Sequence, residues 1–192
     1  MTVSAGSPPL RVEPGLLDRA EFMALYDELA PVVFRLARQL GVRTDSIDDV
    51  VQEVFSVVHR RRDEFEHRST AKTWVTGIAH GVVRNYRRGL RRHDQRVAAV
   101  AKEVEITAQP PATPEQALEM RRASQFLDRF LDSLDDDRRS VFVLIELQQM
   151  SAPEVAELTE TNLNTVYGRL RTARRMFEEA IAAFRDEKEN KS

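Results

Sequence analysis

Two kinds of side chain are gathered in this sequence rather than scattered: arginines and carboxylates. Arg84, Arg87, Arg88 and Arg91 fall within two helical turns, and Arg169, Arg171, Arg174 and Arg175 do the same nearer the other end. A guanidinium meets phosphate through a planar fork of donors, so rows of this kind suit a polyanion. Asp48, Asp49, Gln52 and Glu53 form an acidic counterpart. Paired carboxylates can serve acid–base catalysis, yet nothing completes an active site around them, neither a Gly-rich phosphate loop nor a nucleophile beside a histidine. The chain has no cysteine, which excludes disulfides, thiol chemistry and thiolate metal sites. His59, His67, His80 and His93 lack the i,i+4 spacing around a glutamate that marks a zinc-binding helix. The expectation is a binding protein rather than an enzyme, with no metal and no cofactor. The acidic row is then a solvated face or a dock for a basic partner helix.

Net charge alone would argue against nucleic acid, since 29 Lys+Arg against 31 Asp+Glu leave −2. The charge is segregated, however. Acids collect over residues 45–53, 132–137 and 178–189, and arginines over 84–96 and 169–175. Local patches decide nucleic-acid contacts, so the total is a poor guide. Hydrophobic content of 42% and charged content of 31% describe a soluble globular chain of one large or two small domains. No apolar run nears the length of a membrane span, and the start lacks the basic and apolar regions of a signal peptide. A cytoplasmic location is expected, with no membrane insertion.

The second arginine row needs a scaffold, and the stretch from Met150 to Phe177 supplies one: two short helices joined by a tight turn. Ser151 and Glu154 form a capping box, with Pro153 in the first turn. Thr161 is expected to cap the next helix. There Leu163, Val166, Leu170, Ala173 and Phe177 recur at helical spacing and predict a buried side. Asn164, Gly168, Arg171, Thr172 and Arg175 fall opposite, flanked by Tyr167, Arg169 and Arg174. Gly168 weakens a helix and packs nothing, which a close backbone approach by a partner would explain. This is the layout of a helix-turn-helix that places its second helix in a DNA major groove. A solvated cationic helix in an ordinary bundle is the alternative.

The remaining elements also read as helices, so the expected fold class is all-α. Residues 1–16 form a loose leader. Periodic runs through Phe22, Leu25, Tyr26 and Leu29, and through Val32, Val33, Leu36 and Leu40, predict one kinked helix or two around Pro31, closed by Gly41. Ile47, Val50, Val51, Val54, Phe55 and Val58 give the acidic row an amphipathic helix over 45–59. From Ala71 to about His93 a long helix buries Trp74, Val75, Ile78, Ala79, Val82 and Tyr86, leaving Gly77, His80 and the first arginine row on its far side. The pattern fails between Gln95 and Pro114, which reads as a linker. A helix from Pro114 through Leu134 follows, then another begun by Asp135–Asp137. Its Val141–Leu147 portion is β-branched, but with no pairing partner it is assigned helix.

Taken together and in this order, these motifs resemble the extracytoplasmic-function (ECF) sigma factors of bacterial RNA polymerase. D-D-V-V-Q-E-V-F-S-V-V resembles the region-two helix that docks on the clamp helices of the beta-prime subunit. F-E-H-R-S-T-A-K-T-W-V-T-G-I-A-H-G-V-V-R-N-Y-R-R resembles the promoter-melting segment, and N-T-V-Y-G-R-L-R-T-A-R the recognition helix of region four. The resemblance implies region two over 17–94, a linker over 95–113, region four over 114–186 and a tail over 187–192. It places Asp48, Asp49, Gln52, Glu53 and Phe55 on the polymerase dock. It places Glu66, His67, Arg68, Ser69, Thr70 and Lys72 in the loop that captures a flipped minus-ten base, with Trp74 behind it. Arg84, Asn85, Arg87, Arg88 and Arg91 then face DNA, and Asn164, Thr165, Tyr167, Gly168, Arg169, Arg171, Thr172 and Arg175 read the minus-thirty-five element.

The implied partners are core RNA polymerase (beta-prime clamp helices and beta subunit), promoter DNA in duplex and single-stranded form, and an anti-sigma factor. Gly81 stands where many of the family have asparagine, Tyr167 where a lysine or arginine is usual, and Glu160 replaces the turn glycine. A stand-alone helix-turn-helix regulator is the rival reading, but it leaves the acidic helix unexplained. A protein-binding adaptor leaves the recognition helix unexplained.

Overall fold

The computed structural model describes residues 19–65, 69–93 and 113–189. Seven α-helices make up the described chain: α1 Arg19–Gln39, α2 Ile47–Arg60, α3 Ala71–His93, α4 Pro114–Ser133, α5 Asp136–Phe142, α6 Ala152–Leu158 and α7 Leu163–Glu189. The leader and most of the linker lie outside the described residues.

The first half is a three-helix unit. Periodicity left open whether Pro31 divides the first helix; α1 runs through it unbroken. Gly41 ends α1 with φ of +84°, and the N–H of Val42 returns to the Ala37 carbonyl at 3.0 Å. That left-handed closure is one glycine adopts without strain. All six apolar positions expected inside α2 are buried. Phe22 and Tyr26 of α1 lie against Phe55, with ring centroids 6.5 Å and 4.6 Å away. Thr70 starts α3 by accepting from the Thr73 N–H at 3.1 Å.

The second half packs α4, α5 and α7 around aromatic rings, with Phe130 at 5.1 Å from Phe142 and 4.9 Å from Phe177. Asp135 caps α5 by accepting from the Arg138 N–H at 2.8 Å. The β-branched stretch is helical as expected, but with a twist in its hydrogen bonding. α5 passes into a π-helical turn over Val143–Leu147, where the Gln148 N–H reaches back to the Val143 carbonyl at 3.0 Å. Val143 and Leu144 are fully buried there.

The two halves share one core. Phe130, Leu131, Leu134, Phe142, Val143 and Ala173 join a single buried cluster with residues of α1, α2 and α3. A smaller cluster of Val141, Leu144, Met150, Val155, Val166 and Leu170 fastens the short α6 to α5 and α7.

Candidate nucleic-acid interface

Local chemistry sets α6 and α7 as a helix-turn-helix. Ser151 and Glu154 close the capping box reciprocally: the Ser151 N–H donates to the Glu154 carboxylate at 2.7 Å, and the Glu154 N–H to the Ser151 hydroxyl at 3.4 Å. The Ser151 hydroxyl also donates to that carboxylate at 2.7 Å, and this bond together with the one from the Ser151 N–H holds the Glu154 carboxyl below its ordinary pKa. The turn is made by Glu160 with φ of +53°, a left-handed conformation that a glycine adopts more readily. The cap of α7 differs from expectation. Asn162, not Thr161, accepts from the Asn164 N–H at 2.9 Å, while the Thr161 hydroxyl donates to the Thr159 carbonyl.

On α7, Val166, Leu170 and Ala173 are buried against α5 and α6. Leu163, expected inside with them, is 37% exposed. Asn164, Thr165, Tyr167, Arg171 and Arg175 stand exposed on the outer face, with Thr172 and Arg169 at its edge. A Cβ added at Gly168 would meet nothing within 4 Å, so no internal neighbour demands glycine there. Arg174 pairs with Glu146 at 2.7 Å, Arg175 lies 3.8 Å from Glu179, and Arg169 pairs with Asp137.

In the first half, Asp48, Asp49, Gln52 and Glu53 form an exposed acidic face of α2. Phe55 is 4% exposed, so it supports that face from beneath rather than forming part of it. Of the loop before α3, Glu66, His67 and Arg68 lie outside the described residues. Ser69 is half-buried; Thr70, Lys72, Asn85 and Arg88 are exposed. Trp74 stacks at 5.0 Å on Phe65, half-buried. The side chain of Arg91 is also outside the described residues.

The far side of α3 is open only in part: Arg88 is exposed, but His80 is buried and Arg87 pairs with the second half. His80 is 5% exposed, and burial next to the Arg84 guanidinium lowers its pKa to about 4. Val83, not Val82, completes the buried side with Val75, Thr76 and Ala79. Arg87 pairs with Asp136 of α5 and donates to the Leu40 carbonyl at 2.9 Å. A Cβ on Gly77 would lie 3.2 Å from the Leu158 side chain of α6. Elsewhere along the seam Arg38 pairs with Asp128, and Gln148 meets Gln39 at 3.4 Å. Arg139, which no sequence pattern singled out, is buried. It donates to the Leu131 carbonyl at 2.7 Å and to Asp132 at 2.8 Å, with its guanidinium over Gly41. No group of histidines and carboxylates among the described residues is placed to hold a metal.

Comparison with known proteins resolves what this pairing of surfaces is. The Sigma-70 region 2 family pattern matches residues 25–93, and the Sigma-70 region 4 pattern matches residues 124–177. Together they account for more than half of the chain. It belongs to the ECF sigma factors. RNA polymerase sigma factor YlaC of Bacillus subtilis is 28% identical over 163 residues, covering 84% of this chain and 90% of that one. The ECF RNA polymerase sigma-E factor of Haemophilus influenzae is 27% identical over 176 residues, covering 89% and 92%. Among solved structures, the fold is similar to the sigma factor RpoE crystallised with the anti-sigma factor NepR of Bartonella quintana, with a TM-score of 0.67 at 21% identity over 84% of this chain and 97% of that one. CnrH in complex with the cytosolic domain of CnrY is similar with a TM-score of 0.59 at 23% identity, over 86% and 90%.

As an ECF sigma factor the chain is a transcription initiation factor that directs RNA polymerase to promoters. No helix among the described residues is long and apolar enough to cross a membrane.

Proposed function

We propose a division of labour within this sigma factor, without catalytic chemistry of its own. The exposed acidic face of α2, Asp48, Asp49, Gln52 and Glu53, docks on the beta-prime clamp helices of core polymerase. The loop over 66–72 traps an extruded minus-ten base in front of Trp74, a step that costs a few kcal/mol of unstacking. Arg84, Asn85, Arg87, Arg88 and Arg91 hold the adjoining backbone. Asn164, Thr165, Tyr167, Gly168, Arg169, Arg171, Thr172 and Arg175 read the minus-thirty-five duplex. Region two spans 17–94 and region four 114–186, with the connection over 95–113. The protein works in the cytoplasm beside polymerase. Because a similar fold was crystallised with an anti-sigma factor, such a factor is its proposed regulator.

One observation carries this reading: the polar face of α7 stands open, opposite a side seated on a capped α6. Run-off transcription with core polymerase tests it. Promoter-specific transcripts are expected with the intact chain. With Asp49→Lys and Glu53→Lys together they disappear, because core binding is lost, while helicity and DNA affinity persist. Binding of a palindrome without any polymerase-dependent transcript would instead favour a stand-alone regulator.

A further inference from the structure

Three consecutive arginines, Arg60, Arg61 and Arg62, stand where α2 ends, and the proposed reading gives none of them a part. Their surroundings differ. Arg60 lies on the α1 side, beside Phe22 and Tyr26 and 3.3 Å from Glu53. The Arg62 side chain is mostly covered and lies 3.6 Å from Asp63. Arg61, alone of the three, lines a groove of about 740 Å³ that passes along α3 by Ser69, Trp74 and Asn85. Arg61 is at the wet edge of that groove, its side chain 52% exposed and its Nε donating to the Glu64 carboxylate at 2.6 Å. The lining from α3 is largely apolar and includes Ile78, Gly81 and Val82. A Cβ on Gly81 would meet nothing within 4 Å, so packing does not call for a glycine that weakens the middle of the helix.

We propose that Arg61 is a further minus-ten contact, binding the backbone phosphate of the nucleotide whose base enters this groove against Trp74. This deepens the base-capture reading of Trp74 and rests on it. A stacking ring with a cation beside it is the arrangement that holds a single strand. Trp74, packed on Phe65 at 5.0 Å, supplies the ring, and the space over Gly81 leaves room for the base. Glu154 and Glu157 of α6 also line the groove and repel phosphate, so the strand's backbone runs on the Arg61 side. Both members of the Arg61–Glu64 pair are more than half exposed, which makes the pair weak. A phosphate oxygen makes the same charge-assisted bond and can replace that carboxylate.

Holoenzyme assembled from core polymerase and the full-length chain tests this. It is titrated over a series of salt concentrations with the fluorescein-labelled non-template single strand of a promoter that gives run-off transcripts. Arg61→Ala is expected to weaken binding about fivefold and to lower the slope of log affinity against log salt by about 0.7, the share of one phosphate on a single strand. Arg61→Lys keeps the slope, because the charge remains. Arg60→Ala makes the same change of charge one residue away and keeps both slope and affinity. Gly81→Leu fills the groove and weakens binding.

Trp74→Ala reports on base capture separately. If it weakens binding and Arg61→Ala does not, the base-capture reading stands and the proposal falls. If neither variant matters, both fall. An unchanged salt slope in Arg61→Ala overturns the phosphate contact and leaves Arg61 as a charge at the end of α2. An equal drop in Arg60→Ala does likewise, and a Gly81→Leu variant that binds like the parent removes the groove as the seat of the base.

Discussion

On the proposed reading face of α7, Arg171 is the arginine left without an ion pair among the described residues. It is exposed, whereas Arg169, Arg174 and Arg175 each lie beside a carboxylate. An unpaired guanidinium gives up no protein partner on entering the groove, and bidentate contact to guanine is its commonest specific use. Arg171→Ala is expected to weaken binding to the cognate minus-thirty-five duplex by about 1–3 kcal/mol and to relax preference at one base pair. Equal loss on every sequence, measured across a panel of single-base variants, would reassign Arg171 to the backbone. Gly168 leads to a prediction with two signs. Since an added Cβ has open space, Gly168→Ala should stabilise the protein by about 0.5–1 kcal/mol in denaturant unfolding. The same methyl group should weaken duplex binding if the α7 backbone lies close to DNA. Stability gained with affinity unchanged would remove that reason for the glycine.

Among the elements, α3 carries the heaviest mixed duty: one helix packs into the shared core, meets the second half on its other side and bears the first arginine row. Its His80 makes that packing sensitive to pH. The folded-state pKa of about 4 lies below the ordinary 6.5, so the native protein binds fewer protons than the unfolded chain between those values. Stability is therefore full above pH 6.5 and is lost as pH falls toward 4. Between pH 6.5 and about pH 5, before carboxylates contribute much, about 2 kcal/mol should go. His80→Asn should flatten that slope in urea titrations over this range; an unchanged slope would place its origin elsewhere.

α3 also shows where periodicity is informative and where it stops. Its limits were legible, as were all six inward positions of α2, because a helix with one wet side prints its burial on the sequence. His80, Thr76 and the Gly77 contact were not, because they are covered by a unit that arrives after the linker. Period tells which side is buried when only one is, and α3 is buried on two. The α7 cap failed for a smaller reason: Thr161 and Asn162 are both good caps, and only the backbone chooses between them. Motif resemblance proposed the site residues; the pairing of Arg87 with Asp136 and of Arg169 with Asp137 was not legible, since ion pairs between distant segments leave no spacing to read.

At the scale of the molecule, the shared core has a thermodynamic signature. Phe130, Phe142 and Val143 of the second half are buried in the same cluster as Leu36, Val54 and Val75 of the first. Neither half can lose its packing without exposing apolar surface of the other. The free chain is therefore expected to unfold in one cooperative calorimetric transition, with van't Hoff and calorimetric enthalpies agreeing. Two resolved transitions would mean that the halves melt as separate domains. The π-helical turn at Val143–Leu147 bears on the same geometry. It amounts to one residue more than a regular helix would use over that length. Because the wider coil absorbs that residue, deleting it would let α5 run on as an ordinary helix with little change of phase. A further inserted residue that the turn did not absorb would instead rotate everything C-terminal to it by about 100° and displace it by about 1.5 Å. The length of that stretch thus sets the phase between the start of α5 and the proposed reading face of α7. A single-codon gain in that short stretch would re-aim the proposed reading face without touching any residue proposed to contact DNA.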